Sequence, residues 1–177
     1  AQPCGMFEEL ARKRGIKHVQ LKIGNGACSW GIRKAYVVIP ADFERIYSAE
    51  EREMLYIHEL THIKNRDSLK YLLNGAAEAM FWFHPAVRAF SRRYKNWIEL
   101  VCDRQSVSDF RLDRFAYAGL VIKSLKIHNN LLPNFSGGYH LTKHRIDSLI
   151  GSGRTGFAAV AALIPVIILI TAAVLRG

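Results

Sequence analysis

The sequence feature that most constrains the fold is a helix whose start is marked by Ser48-Ala-Glu-Glu51. A serine followed three residues later by a glutamate forms a capping box, in which each side chain binds the backbone amide of the other residue. The spacing predicts a helix from this point to about Asn65. The helix contains His58-Glu59-Leu60-Thr61-His62, and residues four apart on a helix project from the same face. The chain must therefore place two imidazoles on one side of a helix.

Two imidazoles at this spacing can bind one zinc ion, and the glutamate beside them is placed to accept a proton from an attacking water. The simpler alternative is a solvated helix with two unrelated histidines. Its surroundings argue against that, because Met54 and Leu55 give the histidine face an apolar character. The pattern predicts His58 and His62 as metal ligands, Glu59 as the general base and Zn²⁺ as the cofactor.

A catalytic zinc ion needs a third protein ligand, and the best candidate is Glu99. It lies in Trp97-Ile-Glu99-Leu-Val-Cys-Asp103, on a long helix predicted to start at Pro85. Glu99 and Asp103 are four residues apart, so both carboxylates share a helix face. Glu99 is predicted to bind the metal, and Asp103 to accept the free ring N–H of a ligand histidine, which fixes its tautomer. Without the histidine motif, two solvent-exposed acids would be the simpler interpretation.

The rest of residues 1–154 predicts one mainly helical domain with a small β element, an α+β fold. Further helices are predicted over Glu8–Arg14, Asp67 to about Phe83, about Leu112–His128 and His140–Ile150. The alternation in His18–Ile23 and the β-rich run ending at Pro40 predict strands, with a turn at Gly24-Asn25-Gly26. The strand Ala35–Ile39 is predicted to pair with an extended substrate by edge addition.

The C-terminal segment has a different composition. Residues 156–175 contain no charge, and a stretch of that length can cross a bilayer as a helix. A transmembrane helix is therefore predicted over residues 155–177; the alternative, a buried core helix, is usually shorter. Arg145 and Arg154 precede the segment and only Arg176 follows it. By the positive-inside tendency, the long N-terminal part is predicted to face the cytoplasm.

The formal net charge of +10 is compatible with nucleic acid, an acidic partner or anionic lipid. The basic residues are scattered through helices rather than packed into one run, so a lipid bilayer is predicted as a partner and nucleic acid is not. The cysteines Cys4, Cys28 and Cys102 are odd in number and have no tight spacing. This favours a reducing compartment, with a Cys4–Cys28 bridge as the alternative.

Three segments carry a resemblance to a known family: His58-Glu-Leu-Thr-His-Ile-Lys-Asn-Arg-Asp67, Phe81-Trp-Phe-His-Pro85 and Glu99-Leu-Val-Cys-Asp103. Over about residues 31–150 the chain resembles the membrane metallopeptidase domain of the bacterial β-lactam sensor/antirepressor proteins of BlaR/MecR type. It is more distantly similar to the Ste24/HtpX membrane peptidases, which share the HExxH and ExxxD arrangement. The resemblance implies a gluzincin fold with zinc bound by both motif histidines and Glu99, and with Glu59 as the base.

The resemblance also implies a protein substrate, which is a transcriptional repressor or the chain itself, because the family domain leads to removal of a repressor. Related membrane peptidases have a histidine followed by an Arg-Ile pair in a comparable place. His140 and Arg145 are therefore implied as residues that stabilise the tetrahedral intermediate. The sequence departs from the family at His84, where asparagine is usual. It also contains no Ser-x-x-Lys motif, so β-lactam sensing is not implied.

The predicted function is hydrolysis of peptide bonds by a membrane-anchored zinc endopeptidase in regulatory or signalling proteolysis. The alternative is a non-catalytic, membrane-tethered signalling or scaffold domain that retains a zinc site. Glu59 separates these two functions, because a relic site is expected to lose its base. A basic helical nucleic-acid-binding domain is a third alternative, but it does not account for the two histidines of the motif.

Overall fold

The computed structural model describes residues 3–131 and 138–151. The elements in this part of the chain are α1 (Pro3–Lys13), β1 (Val19–Gly24), β2 (Cys28–Trp30), β3 (Ala35–Pro40), α2 (Phe43–Ile46), α3 (Ala49–Lys64), α4 (Asp67–Met80), α5 (Pro85–Phe110), α6 (Arg114–Leu131) and α7 (Gly138–Ile150). The predicted α+β class is confirmed. The predicted transmembrane helix over residues 155–177 lies outside the described residues. Within the described ranges, no helix is both long enough and apolar enough to span a bilayer.

The three strands form one sheet in the order β1-β3-β2. The central strand β3 runs parallel to β1, with Val19 opposite Ala35, and antiparallel to β2, with Cys28 opposite Val38. Its alternate residues Ala35, Val37 and Ile39 are buried, because one face of the strand packs on the core. The prediction that a substrate pairs with β3 is wrong, because both edges of β3 are already hydrogen-bonded within the sheet.

The central helix α3 begins with the predicted capping box. Ser48 accepts a hydrogen bond from the Glu51 amide, and the Glu51 carboxylate accepts one from the Ser48 amide. All seven residues from Leu55 to Thr61 are buried, so the middle of α3 is enclosed on every side rather than packed along one stripe. Arg66 follows with a left-handed backbone (φ 55°), and α4 begins directly after this turn, at Asp67.

The helices α4 and α5 form a long hairpin. α4 ends at Met80, three residues before the predicted end, because residues preceding a proline disfavour helical geometry and Pro85 starts the next helix. His84 is the N-cap of α5 but makes no side-chain cap hydrogen bond. Between the two helices, the Asn74 side-chain amide donates to the Ser91 hydroxyl over 2.6 Å.

Candidate active site

The three predicted metal ligands converge where α3 packs on α5. The Nε2 atoms of His58 and His62 are 3.2 Å apart. The Glu99 carboxylate oxygens lie 3.8 Å from Nε2 of His58 and 3.6 Å from Nε2 of His62. Zinc binds imidazole nitrogen at about 2.0–2.1 Å in tetrahedral geometry, which separates neighbouring ligand atoms by about 3.3 Å. The donor types and the spacing of these three side chains therefore fit a zinc ion.

The His58 ring is held in the tautomer that metal binding needs. The Tyr117 hydroxyl donates to Oδ1 of Asp103 over 3.0 Å and lies 2.8 Å from Nδ1 of His58. Since the hydroxyl has one hydrogen and gives it to the carboxylate, Nδ1 of His58 is the donor in the second contact. Asp103 Oδ1 is itself 3.3 Å from this Nδ1. The lone pair of His58 is left on Nε2, which faces His62.

A second carboxylate orients His62, and the sequence prediction missed it. Oδ2 of Asp67 lies 2.7 Å from Nδ1 of His62, and Lys70 donates to the other carboxylate oxygen over 2.6 Å. A carboxylate can only accept, so Nδ1 carries the proton and Nε2 is free to bind a metal. Asp67 is only 1% exposed. Asp67 does not stand three or four residues from His62, so helical spacing did not identify it. The feature that could have identified it is an acidic residue immediately after the helix that carries the histidines.

Arg145 connects α7 to this site. Its Nε and Nη2 atoms donate to the two Asp103 oxygens over 2.6 and 2.7 Å, and its Nη1 lies 3.4 Å from Oε2 of Glu99. Burial favours a raised pKa for Asp103, but the hydrogen bonds from His58 and Arg145 outweigh it and hold that pKa well below its usual range. The backbone of His140 belongs to the first turn of α7, while its side chain lies outside the described residues.

The Glu99 carboxylate is also held from α4. The Tyr71 hydroxyl donates to Oε1 of Glu99 over 3.0 Å. Burial and the adjacent Glu99 carboxylate raise the pKa of Tyr71, so the hydroxyl stays protonated and remains a donor. With Arg145 near the other oxygen, Glu99 is oriented toward the two histidines by contacts from two different helices.

Cys102 is an alternative third ligand that the sequence prediction did not consider. Its Sγ, a nitrogen of His58 and a nitrogen of His62 all lie within 4.8 Å of one another. However, Cys102 approaches His58 at Nδ1, at 3.5 Å, and that atom already contacts Tyr117. Its thiol also donates to the His58 carbonyl over 3.3 Å. Glu99 instead faces both Nε2 atoms, so the geometry favours Glu99 over Cys102.

The two facing Nε2 atoms determine the charge of the metal-free site. With both Nδ1 atoms protonated, two lone pairs 3.2 Å apart repel each other unless a proton or a metal ion lies between them. Burial lowers the pKa of His62, but the Asp67 hydrogen bond and Cys102 more than offset this effect and raise the pKa to about 10. The pKa of His58 is also raised, against its burial, by Cys102, Tyr117 and Asp103. A metal ion must displace protons to bind here.

A cavity of about 850 Å³ opens beside the three ligands. Glu59, 7% exposed, lies in its wall together with the edge strand β2 and the turn that precedes it. Leu120, Val121 and Leu125 of α6 provide an apolar wall. Cys28 in β2 is a free thiol, so the alternative of a Cys4–Cys28 bridge is not realised. The space is large enough for several residues of an extended peptide next to the predicted base.

Comparison with known proteins places these residues in a family. Residues 6–149 match the family described as BlaR1 peptidase M56. The chain is similar to the Regulatory protein BlaR1 of Bacillus licheniformis, 28% identical over 130 residues, which are 69% of this chain and 21% of that protein. It is also similar to the Methicillin resistance mecR1 protein of Staphylococcus aureus and Staphylococcus epidermidis, 26% identical over 113 residues, or 63% of this chain and 19% of each relative. The chain thus spans about a fifth of the length of the curated relatives it matches.

Proposed function

Because the chain belongs to the BlaR1 peptidase M56 family, we propose that it is a membrane-anchored, zinc-dependent endopeptidase of gluzincin type that acts in regulatory proteolysis. The observation that carries this proposal is the convergence of His58, His62 and Glu99 beside Glu59 on the wall of one cavity. A family peptidase needs a metal, a base and room for a substrate, and this site supplies ligands, a carboxylate and a cavity.

In this proposal His58, His62 and Glu99 hold the metal. When bound, zinc supplies a Lewis acid that activates water and polarises the scissile carbonyl. The two histidines offer Nε2 because Asp67 and the Tyr117–Asp103 pair keep their Nδ1 atoms protonated. The orienting carboxylates also raise the basicity of the imidazoles that they contact.

Glu59 is the proposed general base. It is adjacent in sequence to His58 and lines the cavity, so its carboxylate is available to a water that lies next to the metal ligands. Glu59 accepts a proton from this water as the water oxygen bonds to the scissile carbonyl carbon. The same proton then passes to the leaving amine as the C–N bond breaks, which regenerates the carboxylate.

Arg145 is proposed to act as a positioning residue. Its guanidinium is bound by both oxygens of Asp103 and lies near Glu99, and these contacts favour support of the ligands over direct contact with the substrate. The role of donor to the tetrahedral intermediate is proposed for His140, which lies in the first turn of α7.

The substrate is proposed to be a protein segment in extended conformation. β2 is an edge strand of the described sheet, and Cys28 and Ser29 of β2 border the cavity. A peptide backbone paired with this edge would lie alongside Glu59. The word "regulatory" in the name of the Bacillus licheniformis relative supports a role in signalling. We propose a transcriptional repressor or the chain itself as the substrate, with the C-terminal segment as membrane anchor and the peptidase domain on the cytoplasmic side.

The test pairs zinc content with cleavage of an unstructured protein substrate by the full chain in detergent or lipid. Wild-type protein is expected to bind one zinc ion and to cleave. Glu59→Gln is expected to keep the metal and lose cleavage by at least about 100-fold, because general-base catalysis contributes about 10²–10⁴-fold. Glu53→Gln, an exposed glutamate on the same helix, is the matched control and should cleave normally. Wild type without zinc, or Glu59→Gln with full activity, would refute the proposal.

A further inference from the structure

The α4–α5 hairpin has an apolar surface that the active site does not use. Its tip, defined as Met80–Phe83, consists of four large apolar side chains, and three of them are at least 65% exposed. Leu72 and Leu73 extend the apolar surface along α4, with 57% and 63% exposure. The exposed residues of α4 between Leu73 and the tip are small: Gly75, Ala76 and Ala79. Soluble proteins rarely expose a contiguous apolar surface of this kind unless something binds to it.

Two pairs of polar side chains connect the helices of the hairpin. Asn74 donates to Ser91 over 2.6 Å in a buried contact, and Lys95 donates to Glu78 over 3.0 Å. Both pairs connect α4 with α5, so the two helices satisfy these polar groups between themselves. The exposed surface of the tip itself consists of apolar and aromatic side chains.

Basic residues follow the tip at a defined distance. Arg88, Arg92 and Arg93 are exposed and are the first cations after Phe83 in the chain. At a rise of about 1.5 Å per residue, Arg88 lies about 5 Å and Arg92 about 10 Å along α5 from Pro85. Apolar groups of an interfacial helix enter the headgroup–acyl boundary by about 5–10 Å, while basic side chains contact anionic headgroups. The separation of the aromatic tip from the arginines matches that depth.

We propose that the hairpin tip inserts into the interface of a bilayer that contains anionic headgroups. Trp82 and Phe83 then lie at the headgroup–acyl boundary, where aromatic side chains are favoured, and Arg88, Arg92 and Arg93 lie at the level of the phosphates. This is a membrane contact additional to the one predicted for the C-terminal segment, and it does not depend on peptidase activity.

The proposed contact would orient the active site relative to the membrane. α4 begins at Asp67, which contacts His62, and Tyr71 on the same helix donates to Glu99. From Asp67 to Met80 the helix spans about 20 Å at its normal rise. The hairpin therefore acts as a spacer of that length between the bilayer surface and the metal ligands, and a substrate is cleaved close to the membrane.

The test uses the depth of one tryptophan in the full chain. The three tryptophans of the sequence are reduced to Trp82 alone by Trp30→Phe and Trp97→Phe. The protein is reconstituted into phosphatidylcholine/phosphatidylglycerol vesicles that carry bromine at a shallow or a deep acyl position. Trp82 emission is expected to shift to the blue and to be quenched more by shallow than by deep bromines. A protein that retains Trp30 alone is the control. Its tryptophan lies in β2, near the base of the hairpin at Ser68, and is expected to escape quenching.

Two pairs of variants test the chemistry of the contact in the Trp82 protein. Phe83→Ser is expected to lower the ratio of inserted to withdrawn tip roughly tenfold, since burial of a phenyl ring is lost. Phe115→Ser removes a similarly exposed phenylalanine of α6 and should have no effect. Arg92→Gln with Arg93→Gln is expected to reduce the ratio about fivefold per charge in anionic vesicles only. The same changes at Arg12 and Lys17, exposed cations outside the hairpin, should not reduce it.

Three results would overturn the proposal. The first is unquenched Trp82 in vesicles that carry the protein, and the second is quenching that is equal with and without anionic lipid. The third is protection of Trp82 that depends on protein concentration, accompanied by energy transfer between labelled copies. That third result would show that a second copy of the chain covers the tip. Each of them can occur with full peptidase activity, so failure of this inference is separable from failure of the proposed function.

Discussion

Asp103→Asn removes the charge that connects His58 with Arg145 but keeps the shape of the side chain. Asp103 is 1% exposed and accepts two hydrogen bonds from Arg145, whose side chain is 17% exposed. Removing one member of a buried ion pair costs about 3–5 kcal/mol, because the other charge stays buried without its partner. Glu99, 3.4 Å from Arg145, compensates part of this loss. We expect the lower end, a decrease of about 3 kcal/mol in the free energy of unfolding.

The same substitution is expected to weaken zinc binding by about 10- to 100-fold, the usual effect of losing a carboxylate that orients a ligand histidine. Unfolding is measured with denaturant on metal-free protein, and zinc affinity by competition with a chromophoric chelator. Glu53→Gln, a charge-removing change at an exposed residue of α3, is the control. It should change the free energy of unfolding by less than about 0.5 kcal/mol.

A double variant separates the two effects. Asp103→Asn with Arg145→Gln removes both charges, so the metal-free protein should regain part of the lost stability. Its zinc affinity should stay low, because no carboxylate orients His58. If Asp103→Asn bound zinc as tightly as wild type, or if the single variant were as stable as wild type, the inferred role of this buried pair would be refuted.

Three further predictions concern protonation, ligand support and helix capping. The pKa of His62 is about 10 in the metal-free fold, against an ordinary value of 6.5. Protonated His62 therefore stabilises the metal-free fold fully below pH 6.5, and this stabilisation is lost as the pH rises through 10, which denaturant unfolding at pH 6 and pH 10 measures. Zinc binding at pH 7 should also release at least one proton, measured by calorimetry in buffers of different ionisation enthalpy. Tyr71→Phe removes the donor to Glu99 and is expected to lower zinc affinity about tenfold, whereas Tyr94→Phe on α5 should leave the affinity unchanged. His84 is the N-cap of α5, and its Nδ1 is buried without a hydrogen-bond partner. His84→Asn introduces a side-chain acceptor for the cap and should raise the free energy of unfolding by about 0.5–1 kcal/mol. A loss of stability would show that the cap is not formed.

Local signals predicted much of the fold. The capping box fixed the start of α3, and helical spacing placed His58 with His62 and Glu99 with Asp103 on shared faces. These signals depend on residues within one or two turns of each other, so they can be read along the chain without knowledge of tertiary contacts.

The contacts around the ligands could not be predicted in the same way. Tyr117 contacts His58 and Arg145 contacts Asp103 from helices far along the chain. Neither pair of residues has a short, regular spacing in sequence from which the contact could be predicted. Asp67 reaches His62 only because Arg66 adopts a left-handed turn, which arginine does not favour intrinsically. The strands lie in the sheet in the order β1-β3-β2, with β3 at the centre. This order could not be predicted, because the sequences of three short strands do not show which strand pairs with which.

The most direct test of the central claim, that zinc is bound by both motif histidines and Glu99, is zinc K-edge X-ray absorption on the full chain reconstituted with one equivalent of zinc. Nitrogen and oxygen ligands are expected at about 2.0–2.1 Å, including two imidazoles, with no sulfur ligand. Glu99→Gln should then weaken zinc binding, while Cys102→Ser should leave the spectrum unchanged. A sulfur ligand at about 2.3 Å, lost in Cys102→Ser, would contradict the account and assign the third ligand to the thiol.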